Sequence, residues 1–162
     1  MDQELFDLAD EVGQALLARG WMLATAESCT GGWVAECVTM ISGSSQWFDR
    51  GFVTYTNAAK EEMLGVSSST LAAHGAVSEQ TVREMTAGAL ARSHAQVAVA
   101  VSGIAGPTGG TAIKPVGTVC IAWRVNQEAP RAETFLFSGD RESVRRQSVI
   151  AALRGVVSCA TR

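Results

Sequence analysis

One short run of this chain concentrates the side chains able to do chemistry. Ala26-Glu27-Ser28-Cys29-Thr30-Gly31-Gly32 sets a carboxylate, a hydroxyl and a thiol side by side, next to two glycines. The apolar stretch Trp21–Ala26 leads into it, and Val34, Cys37, Val38 and Ile41 follow at helical spacing. A strand, a polar glycine turn and a helix in that order aim free backbone N–H groups at an anion. The run therefore reads as a site for a phosphorylated small molecule, with Thr30 and Gly31 in the binding turn. Ser28, Ser44 and Ser45 are the candidate nucleophiles, and spacing does not choose among them. Cys29 ranks below them. A helix N-terminus lowers a thiol pKa, but no histidine stands near it in the pattern.

The base for such a serine has to come from elsewhere. The two histidines, His74 and His94, fall near predicted helix ends, where the helix dipole favours them without any catalytic role. A Ser-His-Asp triad and a histidine-rich metal site are both unexpected, so the metal expectation is none. Lys60 is the best candidate base. It lies just inside a short helix that Asn57 can cap, and the positive helix end together with burial lowers a lysine pKa. A lowered amine can take a proton from a hydroxyl. The alternative is a solvated lysine kept charged by Glu61 and Glu62. Tyr55, the only tyrosine, sits at the end of the strand leading to Lys60, where its hydroxyl could orient nucleophile or base.

A second glycine-rich turn, Ser102-Gly103-Ile104-Ala105-Gly106-Pro107-Thr108-Gly109-Gly110-Thr111, follows the apolar run Val97–Val101. It is neither a Walker A loop nor Gly-x-Gly-x-x-Gly. Its backbone can still form an anion nest, with Ser102 and Gly103 at the strand end. Arg141 and Arg145 lie one helical turn apart and share a face, with guanidinium groups suited to phosphate or carboxylate. Arg146 reads as a solvated cation.

The positioning elements follow from periodicity. Leu5, Leu8, Val12 and Leu16 mark a helix stopped by Gly20. Trp21–Ala26 is a strand, Thr30–Ile41 a helix and Phe52–Tyr55 a strand. Ala58–Leu64 is a helix closed by Gly65, and Ser67–His74 a short helix or turn. Ser78 caps a longer helix over Val82, Met85, Ala89 and Leu90. Val97–Val101 is a buried strand. Val116–Val125 and Ala132–Phe137 are strands joined across Asn126–Pro130, and Asp140 caps a last helix. The pattern is α/β. It predicts a single three-layer α/β/α domain, residues 1–162, with a mixed, mostly covered sheet.

Bulk properties narrow the classes. A chain of 162 residues with 47% hydrophobic residues can bury a real core. Thirteen basic against sixteen acidic residues, net −3, argue against a nucleic-acid footprint. No run approaches the roughly 18 apolar residues of a membrane helix. The acidic start Met1-Asp2-Gln3-Glu4 is unlike a targeting signal. Four dispersed cysteines, Cys29, Cys37, Cys120 and Cys159, read as reduced thiols of a cytoplasmic protein.

Six ordered blocks then carry a resemblance. Thr25–Gly32, Gly51-Phe52-Val53-Thr54-Tyr55-Thr56-Asn57-x-x-Lys60, Gly75-Ala76-Val77-Ser78, Ser102–Pro107, Lys114–Val119 and Phe137-Ser138-Gly139-Asp140-Arg141 are together similar to the CinA C-terminal domain family, in its stand-alone nicotinamide-nucleotide amidohydrolase form. The similarity spans nearly the whole chain. It implies hydrolysis of nicotinamide mononucleotide (NMN) to nicotinic acid mononucleotide and ammonia, a step of pyridine-nucleotide recycling. It also implies a serine–lysine mechanism without metal or organic cofactor, and a dimer. Carried over by motif, the functional positions are Ser28, Ser45, Tyr55, Lys60, Ser102 and Arg141. Many relatives have threonine where this chain has Ser102, which keeps the hydroxyl. Joined to the residue reading, this gives Ser45 as nucleophile, Lys60 as base and Tyr55 as the group that positions them. Ser28, Thr30, Gly31, Ser102, Gly103 and Arg141 then bind substrate. The alternative is a non-catalytic pyridine-nucleotide sensor using the same turns.

Overall fold

In the computed structural model, which describes residues 1–162, the strands that are buried along almost their whole length lie at the centre of a five-stranded sheet. They are β1 (Leu23–Glu27), β3 (Val97–Gly103) and β4 (Thr118–Val125). The outer strands, β2 (Phe48–Val53) and β5 (Arg131–Leu136), are only partly covered. The order is β2-β1-β3-β4-β5. β1 runs parallel to β2 and β3, whereas β4 is antiparallel to both β3 and β5. The sheet is mixed, as the pattern predicted.

Helices cover both faces. On one side lie α1 (Gln3–Arg19), α2 (Trp33–Thr39) and α6 (Arg141–Ala160). On the other lie α3 (Asn57–Leu64), α4 (Ser68–His74) and α5 (Glu79–Ala91). The period of two along each strand sorts side chains between them. Leu23, Val97, Val99 and Val101 enter the larger core under α1 and α6. Ala24, Ala26, Ala98, Ala100 and Ala122 enter the smaller core under α5. Parity therefore sends Glu27 toward α2, and Ser28 and Ser102 toward the α3 side.

Several sequence boundaries shift for physical reasons. α2 begins at Trp33 rather than Thr30, because Gly31 and Gly32 take left-handed φ values of 60° and 103°. β2 begins at Phe48, four residues before the expected start, because pairing with β1 carries the polar Asp49 and Arg50 along a solvent edge. Thr56, not Asn57, caps α3, its hydroxyl accepting from Ala59 N at 3.1 Å. Arg146 is not simply solvated. Its Nε donates to Asp2 at 2.8 Å and its Nη2 to Glu4 at 3.1 Å, tying α6 to α1. The caps at Asp2, Ser78 and Asp140 and the stop at Gly20 form through side-chain and left-handed backbone geometry, respectively.

From β1 the chain goes to β2 on one side, then through α3–α5 to β3 on the other. The crevice outside the C-terminal ends of β1 and β3 is thus a topological switch point, the usual ligand position in open α/β sheets.

Candidate active site

Ser28 follows β1 directly, its backbone N–H donating to Val101 O of β3 at 3.0 Å. Lys60 reaches it from the first turn of α3. Its Nζ lies 2.9 Å from Ser28 Oγ, 2.9 Å from Thr54 O and 3.2 Å from Tyr55 O. Lys60 is 1% exposed and Ser28 8%. The amine forms no ion pair, and Glu61 and Glu62 are exposed rather than packed against it. Burial pushes the Lys60 amine below the ordinary lysine value. The buried-lysine reading, not the solvated one, describes this residue.

Ser45 does not join this pair. It stands exposed in a single 3-10 turn, Ser44–Gln46, ahead of β2. Trp47 O, just beyond the turn, accepts from Leu23 N at 2.8 Å, so the turn belongs to the N-terminal ends of β1 and β2. Ser28 and Lys60 gather at the opposite ends. The length of β2 between them is about 17 Å at a strand rise of about 3.3 Å per residue. The pairing of Ser45 with Lys60 is therefore corrected: the hydroxyl beside the lysine is that of Ser28, and Ser44 shares the remote position of Ser45.

The anion expected at the first glycine turn also needs correction, because the chain supplies it. Glu27 is 1% exposed, and its Oε1 accepts from Thr30 Oγ1 at 2.6 Å and Val34 N at 2.8 Å. Its Oε2 accepts from Ala35 N at 3.0 Å. The carboxylate occupies the positive end of α2, whose glycine N-cap has no side chain to do so. Thr30 is fully buried and its hydroxyl is engaged by Glu27, so its side chain is not free to bind substrate, while Gly31 is exposed at the neighbouring groove. Cys29 is buried as well, and burial pushes its thiol up to about 11, against the helix-end lowering expected for it.

Tyr55 meets Lys60 through its carbonyl, and its phenol contacts neither Lys60 nor Ser28. The side chain is 58% exposed, and its hydroxyl accepts from Arg141 Nη2 at 3.0 Å. Arg141 Nη1 donates to Gly106 O at 2.8 Å, joining the second glycine loop to Tyr55. A cavity of about 280 Å³ brings Ser28, Cys29, Tyr55, Lys60, Ser102, Gly103, Gly106 and Arg141 together. Ser102 is buried in the strand end, and its hydroxyl lines this cavity with no partner in the chain. Gly103 has no room for a side chain, since a Cβ there would stand 2.7 Å from Val119 Cγ2. Beyond Arg141 lies an open groove of about 680 Å³, whose lining includes Gly31, Trp33, Arg141 and Arg145 together with the carboxylates Glu36 and Glu142. Arg141 borders both.

Sequence reasoning missed the role of Glu27 and of the Thr54 and Tyr55 carbonyls. A usable signal existed for the first: an acid seven residues before a helix amide, where the N-cap is glycine. No signal existed for the carbonyls, which any residue type provides. No group of three or more His, Cys, Asp or Glu side chains stands together to hold a metal ion, and no helix is long and apolar enough to cross a membrane.

Residues 5–160 match the family described as the CinA C-terminal domain. A nicotinamide-nucleotide amidohydrolase PncC of Escherichia coli K12 is 56% identical over 153 residues, covering 94% of this chain and 93% of that protein. A protein of the same name from Pseudomonas putida is 50% identical, covering 95% and 96%. The crystal structure of a competence/damage inducible protein, CihA, of Agrobacterium tumefaciens superposes with a TM-score of 0.93 at 46% identity, covering 95% of this chain and 94% of that one.

Proposed function

The chain belongs to the CinA C-terminal domain family, and from that premise we propose that it is a nicotinamide-nucleotide amidohydrolase whose nucleophile is Ser28 and whose base is Lys60. The observation that carries the mechanism is the 2.9 Å approach of Lys60 Nζ to Ser28 Oγ in a buried setting. An uncharged amine has two N–H donors and one lone pair. The Thr54 and Tyr55 carbonyls take the two donors. In that form the lone pair is left for the Ser28 hydroxyl, which turns from Tyr55 O, 3.4 Å away, to donate to the amine. The amine is thereby aimed at the proton it must remove, and burial favours the form able to remove it.

The steps follow. Ser28 Oγ attacks the carboxamide carbon of NMN while its proton passes to Lys60 Nζ, and the carbonyl π pair moves onto oxygen. The oxyanion collapses, the C–N bond breaks, and Lys60 returns the proton to the departing nitrogen, which leaves as ammonia. Water then attacks the seryl ester, Lys60 takes its proton, and the acid is released as Ser28 recovers its hydrogen. Nicotinic acid mononucleotide is the product, and this chemistry belongs to pyridine-nucleotide recycling. Ser102 and the Gly103 loop hold the pyridine carboxamide. Arg141, at the border of cavity and groove, meets the ribose phosphate. Four buried free thiols support a reducing, cytoplasmic setting. A homodimer is part of the same reading and is checked by light scattering.

The test is ammonia release from NMN. Wild type turns over, and Ser28→Ala loses roughly 10⁴- to 10⁶-fold in kcat, as removal of a unit of a nucleophile–base pair does. Ser45→Ala stays near wild type. Saturable NMN binding without ammonia would instead make the protein a nucleotide sensor. Undiminished turnover by Ser28→Ala would end the serine assignment.

A further inference from the structure

The turn that carries Ser28 is gripped from outside by a cation that touches neither Ser28 nor Lys60. Arg145 of α6 donates from Nε to Cys29 O at 3.0 Å and from Nη2 to Thr30 O at 3.2 Å. Its guanidinium lies over the Trp33 ring at 5.3 Å, which fixes its plane. Across a planar trans peptide the carbonyl and the following N–H point in opposite directions. Holding Cys29 O toward Arg145 therefore turns the Thr30 N–H away from Arg145. Ser28 O accepts from Gly31 N at 3.0 Å, which sets the Cys29 N–H by the same rule. The Cys29 and Thr30 N–H groups directly follow Ser28, and neither donates to any group in the chain. Cys29 lines the Ser28 cavity, whereas Thr30 is fully buried and borders the neighbouring groove instead.

We propose that Arg145 is a positioning residue, which holds the peptides after Ser28 so that the backbone N–H of Cys29 stabilises the oxyanion formed when Ser28 adds to the carboxamide. The inference rests on the Ser28–Lys60 reading. It assigns Arg145 a role distinct from substrate phosphate binding, although Arg145 also borders the groove. An oxyanion donor acts in the transition state and not on the bound ground state. Loss of Arg145 must then fall on kcat.

The experiment compares wild type, Arg145→Met and Arg145→Lys in NMN turnover and in inhibition by nicotinic acid mononucleotide, which carries the same phosphate but a planar carboxylate in place of the tetrahedral oxyanion centre. Arg145→Met is expected to lower kcat by about 10- to 100-fold, the scale of a displaced oxyanion donor, with KM and the inhibition constant of the product unchanged. Arg145→Lys, able to reach one carbonyl, recovers part of the loss. A folding defect in Arg145→Met, read from its thermal unfolding, leaves the comparison to Arg145→Lys. An unchanged kcat, or a rise in KM and in the product's inhibition constant, overturns the inference and makes Arg145 a phosphate ligand or a bystander. Those outcomes differ from failure of the amidohydrolase reading itself, in which wild type releases no ammonia.

Discussion

Replacing Lys60 by methionine tests the buried amine directly. Methionine keeps the hydrocarbon stem inside the α3 side of the molecule and removes the only titrating group there that contacts Ser28. In the unfolded chain the amine has the ordinary value of 10.5, and in the folded chain burial holds it lower. Between those two values the unfolded state carries one more proton than the folded state. Stability contributed by this residue therefore rises with pH through that window, by about 1.4 kcal/mol per pH unit at most. It is flat and least favourable below the folded value, and flat again above 10.5. Lys60→Met abolishes this term. It also removes the contacts with Thr54 O, Tyr55 O and Ser28 Oγ, a pH-independent loss of roughly 0.5–1.5 kcal/mol each. Urea unfolding of both proteins at closely spaced pH values from neutrality to 10 gives the difference in stability. The wild-type advantage over Lys60→Met is expected to grow as pH rises. The kcat/KM of wild type is expected to climb over the same limb, as the amine loses its proton, and Lys60→Met is expected to be inactive. Parallel stability curves would refute the lowered amine. A wild-type advantage that shrinks with rising pH would mean that the folded protein holds Lys60 charged.

Two other substitutions separate side-chain from backbone roles. Tyr55→Phe removes a hydroxyl that meets Arg141 but leaves the carbonyl near Lys60. A loss of about 3- to 10-fold in kcat/KM, equivalent to one ordinary hydrogen bond, is expected in steady-state kinetics, whereas a loss on the scale of Ser28→Ala would make the phenol catalytic. Glu27→Gln keeps the shape but sets an NH₂ group among three donors, Thr30 Oγ1, Val34 N and Ala35 N. Chemical denaturation should register a loss of roughly 2–4 kcal/mol, from a buried mismatch plus the lost charge at the α2 N-terminus.

Much of the frame was legible along the chain. The middle strand, β3, is a run of Val and Ala, and Gly20, Gly65, Ser78 and Asp140 stop or cap helices by local backbone chemistry. Local chemistry depends on neighbours within a few residues, so a sequence holds it. β2 starts earlier than its own pattern predicts, because its polar start owes its strand form to β1.

By itself the sequence determined the reactive types and their loops: a serine in a glycine turn after a strand, a lysine near the start of a helix, and a second glycine turn after another strand. It left Ser28 and Ser45 chemically equivalent, because a hydroxyl beside small residues reads the same at either end of a strand. Only the tertiary structure decided between them. Parallel pairing of β1, β2 and β3 sends Ser28, Ser102 and Lys60 to one rim of the sheet and Ser45 to the other. The same folding gave the anion-seeking end of α2 to Glu27, a match between a charge and amides seven and eight residues onward. Both outcomes depend on the direction in which paired strands run and on what a helix end meets in space, which no local run of residues encodes.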